Sequence, residues 1–425
     1  LYSAFTYYLG FRVNSGEYKV MGLAPYGEPR FYDKIVENLI DIKEDGSFWL
    51  DMRYFDYCHG LRMTSEAFHE LFEGEPRTAE GKLTRRDMDI AASLQKVTNE
   101  IMIRLARTAR KETGEENLCM AGGVALNCVA NGLILKEKIF KNIFIQPAAG
   151  DAGGALGAAL FGYHHLLEGP RDPGPKDSMK GALLGPKFGK EDILKDLAAS
   201  GVKWRELEPE SFYDQVCDWL EQGKVIGVLN GRMEFGPRAL GSRSIIGDAR
   251  NREMQSKMNL KIKFRESFRP FAPAVLASDV QDWFELDCES PYMLLVAPVK
   301  EEHRLPVPEG TDALEGIAKL KVIRSKVPAI THVDFSARVQ TAAEDSSPFF
   351  YQVTKRFKER TGCPVIVNTS FNVRGEPIVC RPSEAIRCFL NTEMDILLIE
   401  NFALLKEDQV VSADREKYLK QFALD

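Results

Sequence analysis

Four arginines, Arg232, Arg238, Arg243 and Arg250, alternate with Gly231, Gly236, Gly241 and Gly247 in one segment, GRMEFGPRALGSRSIIGDAR. Glycine lets the backbone approach a ligand, and guanidinium groups take phosphate or carboxylate oxygens in pairs. The chemistry on offer is anion binding. The bland alternative is a solvated surface loop. From Asn259 to Pro273 the chain reads NLKIKFRESFRPFAP, with Lys261, Lys263, Arg265 and Arg269 set among Ile262, Phe264, Phe268 and Phe271. Alternation at period two predicts a strand-like segment whose cations share one face while its apolar residues enter the core. Cations held in this way suit a small-anion pocket, whereas on an edge strand they would only be solvated. Aromatics turned inward argue against a base-stacking surface for nucleic acid.

Further candidates are weaker one by one. Arg338 lies in HVDFSARVQ. Asn368 to Asn372 (NTSFN) contains Ser370 and is followed by Arg374-Gly375; it could present hydroxyl, amide and backbone donors to an anion, or simply close a turn. In MAGGVALN, Gly122, Gly123 and Asn127 fall where a strand would turn into a helix, a place that favours phosphate. Asp151 in GDAGGALG is either a helix N-cap or a metal-binding carboxylate, and spacing alone favours the cap. The chain contains no GxxxxGK[ST] loop, GxGxxG fingerprint, HExxH helix or GxSxG elbow.

The elements needed to position these residues are legible. Ile90, Leu94, Val97, Ile101 and Leu105 recur at helical spacing, and Arg107, Arg110 and Lys111 precede Gly114 as a last turn and cap would. Then come a short apolar run at Leu118, a helical stretch from Val124 to about Lys138, a second run Ile143 to Ile145, and a small-residue helix from about Ala152. The order βαβα predicts a parallel sheet. The Pro/Gly-rich stretch Glu168 to Lys190 predicts a linker, which gives a first domain over 1–167, a second over 191–405 and a tail over 406–425. The second half should hold a helix near Glu210 to Glu221, a strand Val225 to Leu229, a helix Pro348 to Glu359, a strand Val365 to Val367 and a helix from Pro382. The fold class is α/β.

At 425 residues the chain exceeds the length of about 250 to 300 at which single cores stop growing. A net charge of −6 offers no bulk field for nucleic acid or an anionic membrane. Eight cysteines form no CxxC pair, and no apolar run is long enough to span a bilayer. A soluble, cytoplasmic protein in a reducing compartment is expected. The chain starts at Leu1 in sequence that already reads as folded, so an upstream part is expected too.

Seven segments in order, EYKVMGLAPYG, AGGVALN, AGDAGGALGAA, EFGPRALGSRSI, FRESFRPFAP, HVDFSARVQ and NTSFNVRGEPIV, resemble the carbamoyltransferases of the NodU, cephalosporin and aminoglycoside O-carbamoyltransferase type. The resemblance implies a partial actin-like ATPase domain of the tRNA-threonylcarbamoyl type followed by a YrdC-like domain. It implies an enzyme that makes carbamoyl-adenylate from carbamoyl phosphate and ATP and passes the carbamoyl group to a hydroxyl of a small molecule. Lys263, Arg269, Arg338 and Ser370 match its catalytic positions; Arg238, Arg243, Asn368 and Asn372 match substrate and phosphate positions. Gly122, Gly123 and Asn127 match nucleotide-binding positions, and Asp151 matches a ligand of a divalent metal (Fe, or Mg/Mn) whose histidine ligands would lie upstream. Phe335 stands where the family usually has Gly, so the loop before Arg338 is expected to take a different path. No membrane or nucleic-acid partner is implied, and exposed faces of a partial actin-like fold would favour a homodimer. The competing readings are a tRNA threonylcarbamoyl-type synthase or transferase and a non-catalytic nucleotide-binding module.

Overall fold

The structure is a computed structural model that describes the chain except residues 173, 175, 176, 265–267, 309, 312, 313, 315, 411–414 and 423–425, and except the side chain of residue 321. Its first quarter is helical. The long helix Arg85–Thr113 starts in a capping box, where Thr84 and Asp87 satisfy each other's backbone N–H groups, and stops at Gly114 with φ 68°. Its apolar stripe, including Ile90, Leu94 and Val97, packs against Phe5, Val20, Phe68 and Phe72 to make one core. Helices Tyr2–Tyr8, Glu17–Leu23 and Glu66–Leu71 and a hairpin of β1 (Ile40–Ile42) with β2 (Phe48–Leu50) surround it.

Next, β3 (Asn117–Met120) and β4 (Asn142–Ile145) pair in parallel, joined through a 3-10 turn at Gly123–Leu126 and the helix Cys128–Lys136. The helical stretch expected from Val124 is thus split at Asn127, whose side chain caps the second piece by accepting from Ala130 N–H at 3.1 Å. Helix Gly153–Phe161 follows, with no buried residue.

The second half holds a mixed sheet built from β5 (Arg205–Glu206), β6 (Ile226–Leu229), β7 (Arg243–Asp248), β8 (Ala272–Leu276), β9 (Leu295–Pro298), β10 (Ser336–Ala342), β11 (Val365–Ser370), β12 (Ile396–Ile399) and β13 (Phe402–Leu405). The spatial order is β5-β13-β12-β6-β7-β11-β8-β10-β9. β10 runs parallel to β8 and β12 to β6, and the other pairs are antiparallel. Central strands β6, β7 and β8 are buried at every residue, as strands covered on both faces must be. Helices Phe212–Glu221, Pro348–Thr361 and Pro382–Leu390 supply the cover.

Two expectations are corrected. The segment from Asn259 is not a strand: helix Met254–Met258 runs on as a π-turn over Asn259–Lys263, and Phe264 then takes φ 48°. Among its cations, Lys261 reaches Glu393 at 3.3 Å and Lys263 is buried, as two helical neighbours on different faces would be; Arg265 lies outside the described residues. The end of the Pro/Gly-rich stretch is not a free spacer, because Met179 and Ala182 belong to the main core and Phe235 N–H donates to Ala182 C=O at 2.7 Å. That core also takes in Ala125, Ile145 and Ala149 from the first half.

Candidate functional site

The glycine-rich loop ahead of β7 is anchored by a buried carboxylate. Glu234 accepts N–H groups from Leu240 (2.7 Å), Ser242 (2.6 Å) and Arg243 (3.3 Å). Burial pushes its pKa up, against the pull of these backbone donors. Gly236, at φ 138°, passes so near the turn after β4 that a Cβ there would stand 2.8 Å from Pro147 C=O. The loop is therefore pinned at both ends, and Arg238 between them faces a cavity of about 790 Å³.

That cavity lies between the halves. Ser3, Glu17 and Tyr18 line it from the N-terminal helices. Gly123, Asn127 and Asp151 line it from the turns after β3 and β4, and Arg338, Asn368 and Ser370 from β10 and β11. Lys263, Arg269 and Asn372 complete the wall. Ten of the twelve residues to which the resemblance gives a site role thus share one space.

Lys263, 3% exposed, is held by the loop beyond β11. Its ammonium group donates to Asn372 Oδ1 (2.8 Å), Asn372 C=O (3.0 Å) and Ser370 Oγ (3.2 Å), and also to Ser370 C=O. Ser370 Oγ donates to Asn372 Oδ1 at 2.7 Å, and Asn372 Nδ2 to Glu376 C=O at 2.6 Å. Lys263 here both carries charge and orients the Ser370 and Asn372 side chains. Asn368 donates to Ala239 C=O and Gln340 Oε1, tying β11 to the arginine loop, while its Oδ1 has no partner among the described residues.

Three arginines converge beside this network. Burial, then the nearby Arg338, pushes Arg238 down to about 9, and its Nε has no hydrogen-bond partner among the described residues. Burial also lowers Arg338, with Cys128 opposing the shift and Arg269 adding to it. Arg269 sits 4.4 Å from the centre of the Tyr18 ring, a cation–π contact. Enclosed like charges raise one another's free energy, and a bound polyanion would relieve that repulsion. This arrangement suits phosphate oxygens.

Arg243 and Gly122 do not join the cavity lining. The Arg243 guanidinium is fully buried and donates to backbone carbonyls of Asn230, Gly231, Ser242, Cys380 and Pro186 at 2.9 to 3.5 Å. Where a phosphate-binding position was expected, its donors are committed to the base of the loop. Gly122, at φ 98°, shapes the turn after β3 and donates to Ala149 C=O at 2.8 Å. Asn127 lines the cavity, but its amide is also shared with Gln95, each donating to the other at 3.1 Å.

Asp151 is exposed and is not a cap, since Ala152 holds that position without a side-chain bond. No histidine, cysteine or second carboxylate groups with it as a metal ligand set among the described residues. These residues by themselves do not fit a metal. Phe335 takes φ 64°, the left-handed region that glycine favours. Phe335 thus adopts a glycine-type conformation despite its bulky side chain, with Arg304 stacked 5.1 Å over the ring.

Sequence reasoning gave no role to several lining residues. Tyr18, Arg374 and Glu376 all face the cavity. Arg374 makes a two-pronged pair with Glu80, at 2.8 Å through Nη1, and Glu376 accepts from Tyr418 at 2.6 Å. Tyr18 and Arg374 both sit inside the quoted motifs EYKVMGLAPYG and NTSFNVRGEPIV, so proximity to a motif was the available signal.

Two family models match the chain: Carbamoyltransferase N-terminus over residues 1–160 and Carbamoyltransferase C-terminus over residues 217–406. An uncharacterised protein of Synechocystis is 57% identical over all of this chain and 69% of its own length. Nodulation protein NolO of Bradyrhizobium diazoefficiens is 37% identical over 92% of this chain and 66% of its own. The 3'-hydroxymethylcephem-O-carbamoyltransferase of Amycolatopsis lactamdurans is 31% identical over 70% of this chain and 50% of its own. The chain therefore spans between about half and about two thirds of the length of these relatives.

Proposed function

Because the chain belongs to the carbamoyltransferase family, we propose that it is the part of an ATP-dependent O-carbamoyltransferase in which carbamoyl-adenylate is made and handed on to a hydroxyl-bearing small molecule. The observation that carries this reading is the one cavity shared by the cationic cluster of Arg238, Lys263, Arg269 and Arg338 and by Asn127 and Asp151 from the first half of the chain.

In the first step, carbamoyl phosphate and water give carbamate and phosphate. A carbamate oxygen then attacks the α-phosphorus of ATP, the bond to the β,γ unit breaks, and pyrophosphate leaves. Negative charge moves between oxygens at each stage, so fixed cations stabilise the transition state without having to reorganise. Arg238, Arg269 and Arg338 would hold the phosphates; Lys263 would keep Ser370 and Asn372 turned toward the carbamoyl oxygens. In the second step the acceptor hydroxyl attacks the carbamoyl carbon, its proton is lost, and AMP leaves. The shared cavity would let the mixed anhydride reach the acceptor without crossing bulk water. Asp151 would face the acceptor, and the residues beside it do not complete a metal site among the described residues.

The test is pyrophosphate release on mixing the protein with ATP and carbamoyl phosphate. Release that needs both substrates is expected. Its absence, or release without carbamoyl phosphate, would overturn the first step.

A further inference from the structure

Away from the cavity, Glu66 and His69 on helix Glu66–Leu71 and Glu75 in the turn beyond it bring three ligand atoms within 4.8 Å of one another. We propose that they form a divalent-cation site of zinc type, clamping this helix to the turn that follows.

His69 carries the argument. Its side chain is 5% exposed, and its Nδ1 makes no hydrogen bond among the described residues, although carboxylate oxygens of Glu75 and Glu66 stand 3.1 and 3.9 Å away. The other ring nitrogen, Nε2, lies 3.0 Å from the buried hydroxyl of Thr64. In the tautomer that carries its proton on Nε2, His69 donates to Thr64 Oγ1 and leaves the Nδ1 lone pair on the side of the two carboxylates, where an ion would be shared; a hydrogen bond at the other ring nitrogen is what orients a metal-binding imidazole. Spacing i, i+3 puts Glu66 and His69 on one helix face. Glu73 at φ 63° and Gly74 at φ 155° turn the chain back, Gly74 N–H donates to His69 C=O at 2.9 Å, and Tyr8 OH donates to Gly74 C=O. Glu75 is thereby returned to the ring.

Two carboxylates and a neutral imidazole carry charge matched to a divalent ion. One nitrogen among the ligands favours zinc over magnesium or calcium, which prefer oxygen throughout. Among the described residues, Arg62, 3.7 Å from Glu66, is the cationic rival at that carboxylate besides His69, and it would be displaced or would remain on the free oxygen. Beyond Glu75 the chain reaches Arg77, whose Nε donates to Leu9 C=O at 2.6 Å, and then Glu80, the partner of Arg374 at the cavity. An ion here would stiffen that path.

Zinc titration by calorimetry into the metal-free chain carrying Asp151→Asn separates this site from the cavity. Stoichiometric binding of Zn²⁺ is expected, weakened about 100-fold by His69→Gln or Glu75→Gln and about tenfold by Thr64→Val. Glu75 is exposed, so Glu75→Gln should leave the metal-free melting temperature unchanged and answers the concern that His69→Gln misfolds. No stoichiometric binding, or binding that survives both Glu75→Gln and His69→Gln, would overturn the site.

Discussion

Lys263 and Asp151 line the same cavity from different halves of the chain, and they are held very differently. Lys263 is 3% exposed and donates to four oxygens of Ser370 and Asn372, themselves fixed to a nine-stranded sheet. Asp151 is exposed, at the start of a helix with no buried residue, beside a two-stranded sheet. A site assembled on a buried sheet arrives preorganised, whereas the exposed turn that carries Asp151 has few neighbours to hold its geometry. Adenylate formation should therefore tolerate little change, and the hand-over should depend on few residues of this chain.

The comparison breaks first at the base of the cationic wall. Arg243→Ala removes the guanidinium that serves five carbonyls and should cost about 3 to 5 kcal/mol of stability, the scale for opening a buried charged network, as read by denaturant unfolding. An Arg243→Ala protein of normal stability would mean that the loop is anchored elsewhere. Within the wall, Arg269→Ala should lower pyrophosphate release at least tenfold, since a charge-assisted contact is worth about 1.5 to 3 kcal/mol; unchanged release would remove Arg269 from the chemistry. On the open wall, Asp151→Asn should leave pyrophosphate release within about twofold while cutting carbamoyl transfer to a hydroxyl by about tenfold. If both activities fall together, the division between the walls is wrong.

Smaller effects sharpen the picture. Phe335→Gly should stabilise by no more than about 1 kcal/mol, because relief of the left-handed backbone is offset by the lost stacking with Arg304. A thermal melt would register the gain. His332 accepts from Val333 N–H through Nδ1 and contacts Gly22 C=O through Nε2, so it needs to stay neutral, and burial lowers its pKa. The unfolded chain takes up a proton near pH 6.5 that the folded chain refuses, so this contribution is whole above about pH 6.5 and declines as pH falls below it. His332→Gln should flatten the fall in melting temperature between pH 7 and 5, an effect that vanishes at neutral pH.

Periodicity made most elements legible. Helix Arg85–Thr113 was marked by its apolar stripe and by Gly114, and β3, β4, β6 and β11 by short apolar runs. The segment after Met258 misled because alternating basic and apolar residues over five positions fit a tight helical turn as well as a strand; continuity with the preceding helix decided it. Residue type pointed to arginines in the glycine-rich loop, yet type does not say which guanidinium faces the cavity and which faces carbonyls. Arg238 and Arg243 are five positions apart, and what separates them is that one lines the cavity while the donors of the other are taken by backbone carbonyls. Tyr18 and Arg374 escaped because their partners, Arg269 and Glu80, are brought near only by the tertiary fold.

Phe268 belongs to the core made by the N-terminal helices, and its carbonyl takes the hydroxyl of Tyr26 at 2.6 Å. The next residue along is Arg269. The C-terminal stretch therefore borrows hydrophobic ballast from the N-terminal one to aim a side chain of its own. In terms of inheritance, the two stretches cannot be traded between relatives as independent cassettes: a graft that kept the sheet but changed the bed under Phe268 would carry the motif intact and lose its aim.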